Sequence, residues 1–316
     1  MTSMHARGVR MYQQRADCIS DLLDQQAGVV SRAQLRGRGI DRHAVRAEAA
    51  AGRWETWGRH TVAVSVTDLP AAMRWSAIFE VGKHARLDGA TALVASGLTG
   101  WQCDAVELAV PHGMSAKGHP GIRICRVRGL EQPQPVGIPR SPVVPATVRA
   151  ALRARSRPQA ATLLAMVVQQ RLVDASRLLM AWNEVRWAPD HRFITTIVED
   201  VCDGAHALGE LDFARLCRTY GLPEPEHQAV LQGPRGRIYR DIRWPGLTVE
   251  IDGAQHFAGL AVVEDALRAN AVTMTGDMVL RIPVLGLRLR EADFMRQVVA
   301  PRATLRTGGS RGRPCP

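Results

Sequence analysis

Near the N-terminus, the hydrophobic and polar positions follow a helical period. Cys18, Leu22 and Leu23 share one face of a segment over 17–26 that Gly28 would end. Ser31 is a good N-cap for a second short helix over 32–38, closed by Gly39. Asp41 caps a third over 42–51, closed by Gly52. The period then drops to two. The run 53–64 alternates apolar and polar residues around Gly58-Arg59, as a hairpin would. Residues 1–15 carry no such pattern and are expected to be unstructured. From Pro70 a middle region begins, with an apolar helix over 90–98 and two strands over 105–111 and 121–127. A Pro-rich stretch over 132–145 reads as a linker or extended edge, and 146–185 as a pair of helices with apolar stripes.

The last third is the most informative. A helix over 210–220, ended by Gly221, carries an apolar stripe of Phe213, Leu216, Cys217 and Tyr220. Glu210 shares that face; alternatively it is a first-turn carboxylate favoured by the helix dipole. Three strand-like runs follow, over 227–232, 237–244 and 247–253. In the second, Ile238, Ile242 and Trp244 take one side and Tyr239, Asp241 and Arg243 the other. In the third, Leu247, Val249 and Ile251 oppose Thr248, Glu250 and Asp252.

If Pro245-Gly246 is a two-residue turn, Trp244 pairs with Leu247 and Asp241 falls opposite Glu250. Pro-Gly prefers a type II turn, and a longer loop would shift this register. Directly opposed residues have Cβ atoms about 5 Å apart, where like charges are destabilising. Asp252 adds a third negative charge. A cation resolves the conflict, and hard oxygen ligands of this kind suit Mg²⁺ or Mn²⁺. The plainer alternative pairs Asp241 with Arg240 or Arg243 and makes Asp252-Gly253 a turn.

Composition adds a bias. The 316 residues, 46% of them apolar, are enough for two or three domains with real cores. Lys and Arg exceed Asp and Glu by 41 to 30, a net charge of +11 that favours a polyanionic partner such as nucleic acid. Nearly all the basic residues are Arg, and no lysine follows Lys117. The six scattered cysteines form no CxxC pair and fit a reducing, cytoplasmic setting. No run is long enough to span a membrane, so no membrane role is expected. His84, His112 and His119 read as ordinary loop histidines. Arg290, Arg296, Arg302, Arg306, Arg311 and Arg313 crowd the C-terminus, which is expected to end as a basic tail that either adds salt-dependent DNA affinity or is merely solvated.

Three short helices and a hairpin are the plan of a winged helix. The words Gly28-Val-Val-Ser-Arg-Ala-Gln-Leu35 and Gly52-Arg53 resemble the N-terminal winged helix of abortive-infection type IV antitoxins. In such folds the third helix enters the major groove. Here it would present Arg42, His43 and Arg46 to DNA, with Arg59 at the wing, unless the module serves protein contacts instead. The middle region resembles those proteins only loosely.

Glu250-Ile-Asp252-Gly253-Ala-Gln-His256-Phe is similar to the E-x-D-G-x-x-H signature of very-short-patch-repair-like domains in the PD-(D/E)XK nuclease superfamily. Glu210, the words Gly221-Leu-Pro-Glu-Pro225, Gln228 and Asp241 fall in the expected order. So do Asp265, Arg268, Asn270 and the strand over 279–283. The resemblance implies an αβββαβ core with Asp241 and Glu250 as metal ligands, joined by Asp252. Glu210 and Asp252 would be supporting acids, and His256 a general acid/base or phosphate contact. The superfamily motif ends in Lys, whose slot Asp252 occupies; Gln255, His256 or Arg268 are substitutes, although Arg268 also pairs naturally with Glu264.

The expected whole is an α/β multidomain chain: winged helix over 16–66, an α+β antitoxin-like middle region over 68–203, a restriction-endonuclease-like domain over 205–300 and a basic tail over 301–316. The expected activity is Mg²⁺- or Mn²⁺-dependent DNA cleavage. The alternatives are an antitoxin-type transcriptional regulator with an inactive nuclease fold, and a non-enzymatic interaction protein. A cognate toxin or a second copy of the chain is a further candidate partner.

Overall fold

The computed structural model describes residues 11–203, 210–223, 227–232, 238–244, 246–252, 263, 266, 267, 270 and 278–307. The chain is a mixed α/β protein of two compact units, one ending at Ala146 and the other starting at Thr147.

In the first unit, helix α1 covers residues 11–17, where no regular structure was expected as far as residue 15. Its anchor is tertiary. Arg15 of α1 and Arg53 both pair with Glu48, a carboxylate only 1% exposed, with Arg53 Nε at 2.6 Å. A buried carboxylate needs such partners. Helix α2 (Ser20–Gln25) leads to strand β1 (Val29–Ser31) through Gly28. There φ is +83° and an added Cβ would lie 1.9 Å from the Ser65 carbonyl oxygen, so only glycine fits.

Ser31 ends β1 and caps helix α3 (Arg32–Gly37). Its hydroxyl accepts from Gln34 N at 3.1 Å, and its own N–H donates to Gln34 Oε1 at 2.8 Å. Asp41 caps helix α4 (Arg42–Ala50) by accepting from Ala44 N at 2.8 Å. Strands β2 (Glu55–Thr56) and β3 (Thr61–Ala63) form the hairpin, and β1 joins its other side in the order β1-β3-β2. Ile19, Val30, Leu35, Ile40, Val45, Trp54 and Val62 form the core beneath. Helix α5 (Leu69–Val81) follows, with Asp68 accepting from Ala71 N at 2.9 Å. Strand β4 (Arg86–Leu87), helix α6 (Gly89–Ala95) and strands β5 (Val106–Pro111) and β6 (Ile122–Val127) complete the unit. β5 and β6 run parallel.

Helix α7 (Val143–Leu152) carries the chain into the second unit. The pair of helices expected over 146–185 is three: α7, α8 (Arg157–Gln169) and α9 (Ala175–Asn183). Ser156, accepting from Gln159 N, starts α8 afresh, and Asp174 does the same for α9. Helix α10 (His191–Asp203) had no predicted counterpart.

Helix α11 (Glu210–Thr219) buries Phe213 and Cys217, with Leu216 and Tyr220 packed alongside, the stripe that periodicity predicted. Burial pushes the Cys217 thiol up to about 11. Strands β7 (His227–Gln232), β8 (Ile238–Trp244) and β9 (Leu247–Asp252) form an antiparallel meander. Strand β10 (Met278–Pro283) adds in parallel to β9, giving the order β10-β9-β8-β7. Helix α12 (Val284–Thr307) follows, with a break in helical geometry at Arg290. Its Phe294, Met295 and Val298 pack on Ile242, Trp244, Val249, Leu280 and Ile282 of the sheet. The backbone stays helical to Thr307, into the stretch expected to be a basic tail.

Candidate metal centre and nucleic-acid interface

The β8–β9 register sets Trp244 against Leu247 and Asp241 against Glu250. This is the register that a two-residue connection requires. β7 and β10 extend the row, so that positions 229, 241, 250 and 281 run side by side across the four strands. On β9 and β10 the flanking residues Val249, Leu280 and Ile282 are fully buried, whereas Glu250 is half-buried and Arg281 exposed. Glu250 and Arg281 therefore belong to the face away from the core.

Arg281 Nε donates to Glu250 Oε2 at 2.9 Å. The arginine pairing weighed from the sequence joined Asp241, not Glu250, to Arg240 or Arg243, and Arg281 had no predicted role. One signal was present: Arg281 is the lone charged residue in the apolar run 278–283. Of Glu210, Asp241 and Asp252 the structure describes the backbone alone. Gln255, His256, Glu264, Asp265 and Arg268 lie outside the described residues, as does the chain beyond Thr307. Among the described residues, no group of three or more His, Cys, Asp or Glu side chains is placed to hold a metal ion.

Asn270 is 2% exposed and grips the peptide of Arg281. Its Nδ2 donates to the Arg281 carbonyl at 3.0 Å, and its Oδ1 accepts from Arg281 N at 3.1 Å. Gln297 of α12 accepts from Asn270 Nδ2 at 3.1 Å and donates to the Leu267 carbonyl at 2.9 Å. This amide chain satisfies the Arg281 backbone groups on the edge of β10 away from β9.

In the first unit, α4 exposes Arg42, His43 and Arg46 and buries Val45 and Glu48. Arg42 Nε donates to His43 Nε2 at 3.4 Å. Arg59 is exposed at the turn between β2 and β3. Sequence reasoning missed what holds that turn. Glu80, on α5, accepts from Arg59 N at 3.0 Å, His60 N at 2.8 Å and Thr61 Oγ1 at 2.8 Å. A Cβ on Gly58 would come within 2.6 Å of the Glu80 carboxyl group. Partial burial pushes the Glu80 carboxyl up, but the bonds from Thr61, His60 and Arg59 outweigh it and hold it below its ordinary value. His84 and His112 are exposed and His119 partly so, and none joins a cluster of candidate ligands among the described residues.

Among the described residues no helix is long and apolar enough to cross a membrane. No protein family's sequence model matches the chain, and no curated protein is similar to it in sequence. Among solved structures it is similar to the RV2827C protein from Mycobacterium tuberculosis, with a TM-score of 0.38 and 17% identity over 73% of this chain and 89% of that one. A likeness this slight carries no statement about fold family or function.

Proposed function

We propose that the chain is a metal-dependent DNA endonuclease whose second unit cleaves phosphodiesters and whose first unit holds DNA. The observation that carries this reading is the register that sets Asp241 directly opposite Glu250, with Asp252 two positions further along β9. The element order α11-β7-β8-β9, helical positions between 263 and 270, then β10, supports the αβββαβ core implied by the resemblance.

The residue types suit a hard divalent ion. Glu250 is a half-buried carboxylate paired with the Arg281 guanidinium, a partner that a metal ion would have to replace. Asp241, Glu250 and Asp252 would hold Mg²⁺ or Mn²⁺ through oxygen donors. Such an ion supplies an activated water and stabilises charge on the cleaved phosphodiester. Glu210 assists as a further acid, and His256 serves as acid/base or phosphate contact. In the first unit, helices α2, α3 and α4 with the β2–β3 hairpin support a winged helix, with Arg42, His43 and Arg46 on the recognition helix and Arg59 on the wing.

The test is nicking of supercoiled plasmid with Mg²⁺ or Mn²⁺ by the wild type, Asp241→Ala and Glu250→Ala. Nicking that survives both substitutions sinks the site.

A second reading keeps DNA binding and drops turnover: an antitoxin-type regulator with an inactive nuclease fold. The Arg281–Glu250 pair and the lack of any lysine after Lys117 favour it. Band-shift titration separates the two, since a regulator prefers its own upstream DNA over random DNA while cutting neither.

A further inference from the structure

The segment between α9 and α10 holds a bare tryptophan on a pinned frame. Trp187 is 82% exposed, whereas Trp54, Trp182 and Trp244 are buried. Both ends of the segment are fixed. Trp182 donates from Nε1 to Thr195 Oγ1 at 2.9 Å, and its ring centre lies 5.1 Å from that of His191. His191 Nε2 donates to the Val185 carbonyl at 2.8 Å, two residues before Trp187. Asp190 accepts from Arg157 Nε at 3.1 Å and from Arg157 Nη2 at 2.6 Å. A braced loop therefore holds the indole out in solvent.

The surroundings are charged. The sequence sets arginine before an aromatic ring twice, as Arg186-Trp187 and Arg192-Phe193. Arg186 and Arg192 are exposed, and the Arg157 guanidinium lies 5.2 Å from the centre of the Phe193 ring. Asp190 is neutralised by Arg157, which leaves Glu184 against Arg186 and Arg192, so the local balance stays positive. A docking site for a folded protein surrounds its aromatic anchor with contacts that exclude water. The residues flanking Trp187 along the chain offer little for that, since Arg186, Pro189, Asp190 and Arg192 are exposed and, proline apart, charged. An indole face beside arginines suits a base and its phosphates instead. Every base has a π-face, so stacking needs no particular sequence, and a guanidinium matches two phosphate oxygens at once. Single strands offer unstacked bases that can be splayed onto an aromatic ring.

We propose that Trp187 is a stacking platform for an unpaired base of single-stranded nucleic acid, with Arg186 and Arg192 on the neighbouring phosphates. Such binding needs no metal ion and no cleavage, and it is separate from the duplex contacts proposed for the first unit.

The test is fluorescence anisotropy of the full chain with labelled oligothymidylate, oligouridylate and a duplex of the same length. Trp187→Ala is expected to weaken single-strand binding about five- to a hundredfold, the usual loss for one base–aromatic stack, with the salt dependence unchanged. Arg186→Ala and Arg192→Ala should each lower the slope of log K against log salt by about 0.7. Trp187→Phe keeps a ring and should recover most of the affinity. Trp187→Leu keeps apolar bulk without a π-face and should not. Because the side chain is exposed, all three Trp187 variants should melt like the wild type. A stronger hold on one of the two oligonucleotides identifies DNA or RNA as the strand bound. Wild-type affinity in Trp187→Ala or Trp187→Leu overturns the platform. An equal loss on the duplex also overturns it, since paired bases offer no free face. Sedimentation covers another occupant, a second copy of this chain, for which Met180, 61% exposed on α9, would add apolar contact. An oligomer that dissociates in Trp187→Ala and Met180→Ala, with oligonucleotide affinity unchanged, overturns the nucleic-acid role in favour of self-association. A wild type that holds neither oligonucleotide overturns it as well.

Discussion

Asp241 and Glu250 are register partners across β8 and β9, four residues from a connection at 245 and 246. Two acidic residues at directly opposed positions repel unless a cation lies between or beside them. Removing either acid is therefore expected to have a double signature. Asp241→Ala and Glu250→Ala should each lower Mn²⁺ affinity and slow nicking by at least about a hundredfold. Calorimetry with Mn²⁺ and plasmid nicking check both halves. An unchanged metal affinity in both variants removes the metal site.

The DNA-binding face proposed for the first unit is testable through salt. Arg42→Ala, Arg46→Ala and Arg59→Ala should each weaken binding to duplex DNA. A residue that contacts only phosphate should lower the slope of log K against log salt by about one. One that reads a base should instead change sequence preference. Fluorescence anisotropy from low to moderate salt distinguishes the two, and three unchanged affinities would exclude this face from binding.

Glu80 gives a pH prediction. Its folded carboxyl is held below its ordinary value, so its contribution to stability is fully present above the unfolded value and is lost as pH falls through the folded one. Glu80→Gln should therefore melt below the wild type at neutral pH, with the gap closing on acidification toward the folded value. Losing the ionised acceptor of two turn amides and one hydroxyl should cost about 1–3 kcal/mol. Thermal melts of both proteins across the acid range check this, and a constant gap contradicts it.

Gly28→Ala probes the turn from α2 into β1. The substitution forces a side chain into left-handed backbone and against the Ser65 carbonyl. A loss of about 1–3 kcal/mol from backbone strain alone is expected, with more from the contact. The denaturant midpoint measures it, and a wild-type midpoint would contradict the close approach.

Local chemistry made much of this protein legible in its sequence. Ser31 and Asp41 cap the helices their side chains announce, because a cap is a bond between residues three apart in the chain. The stripe on α11 and the alternation along β8 and β9 follow from fixed periods of 3.6 and 2. A two-residue connection then leaves one register, the one that pairs Asp241 with Glu250.

What escaped the sequence depends on partners far along the chain. Helix α1 has no apolar stripe of its own, and Arg15 is tied to Glu48, 33 residues away. The β2–β3 turn is held by Glu80, which belongs to the following helix. Arg281 meets Glu250 only because β10 returns parallel to β9, and Asn270 reaches it from a segment that periodicity alone does not orient. Caps, stripes and hairpin register are short-range and were settled by the order of residues alone. The guanidinium beside the acid, the clamp beneath it and the brace on the β2–β3 turn are long-range pairings, and only the folding of distant segments onto one another decided them.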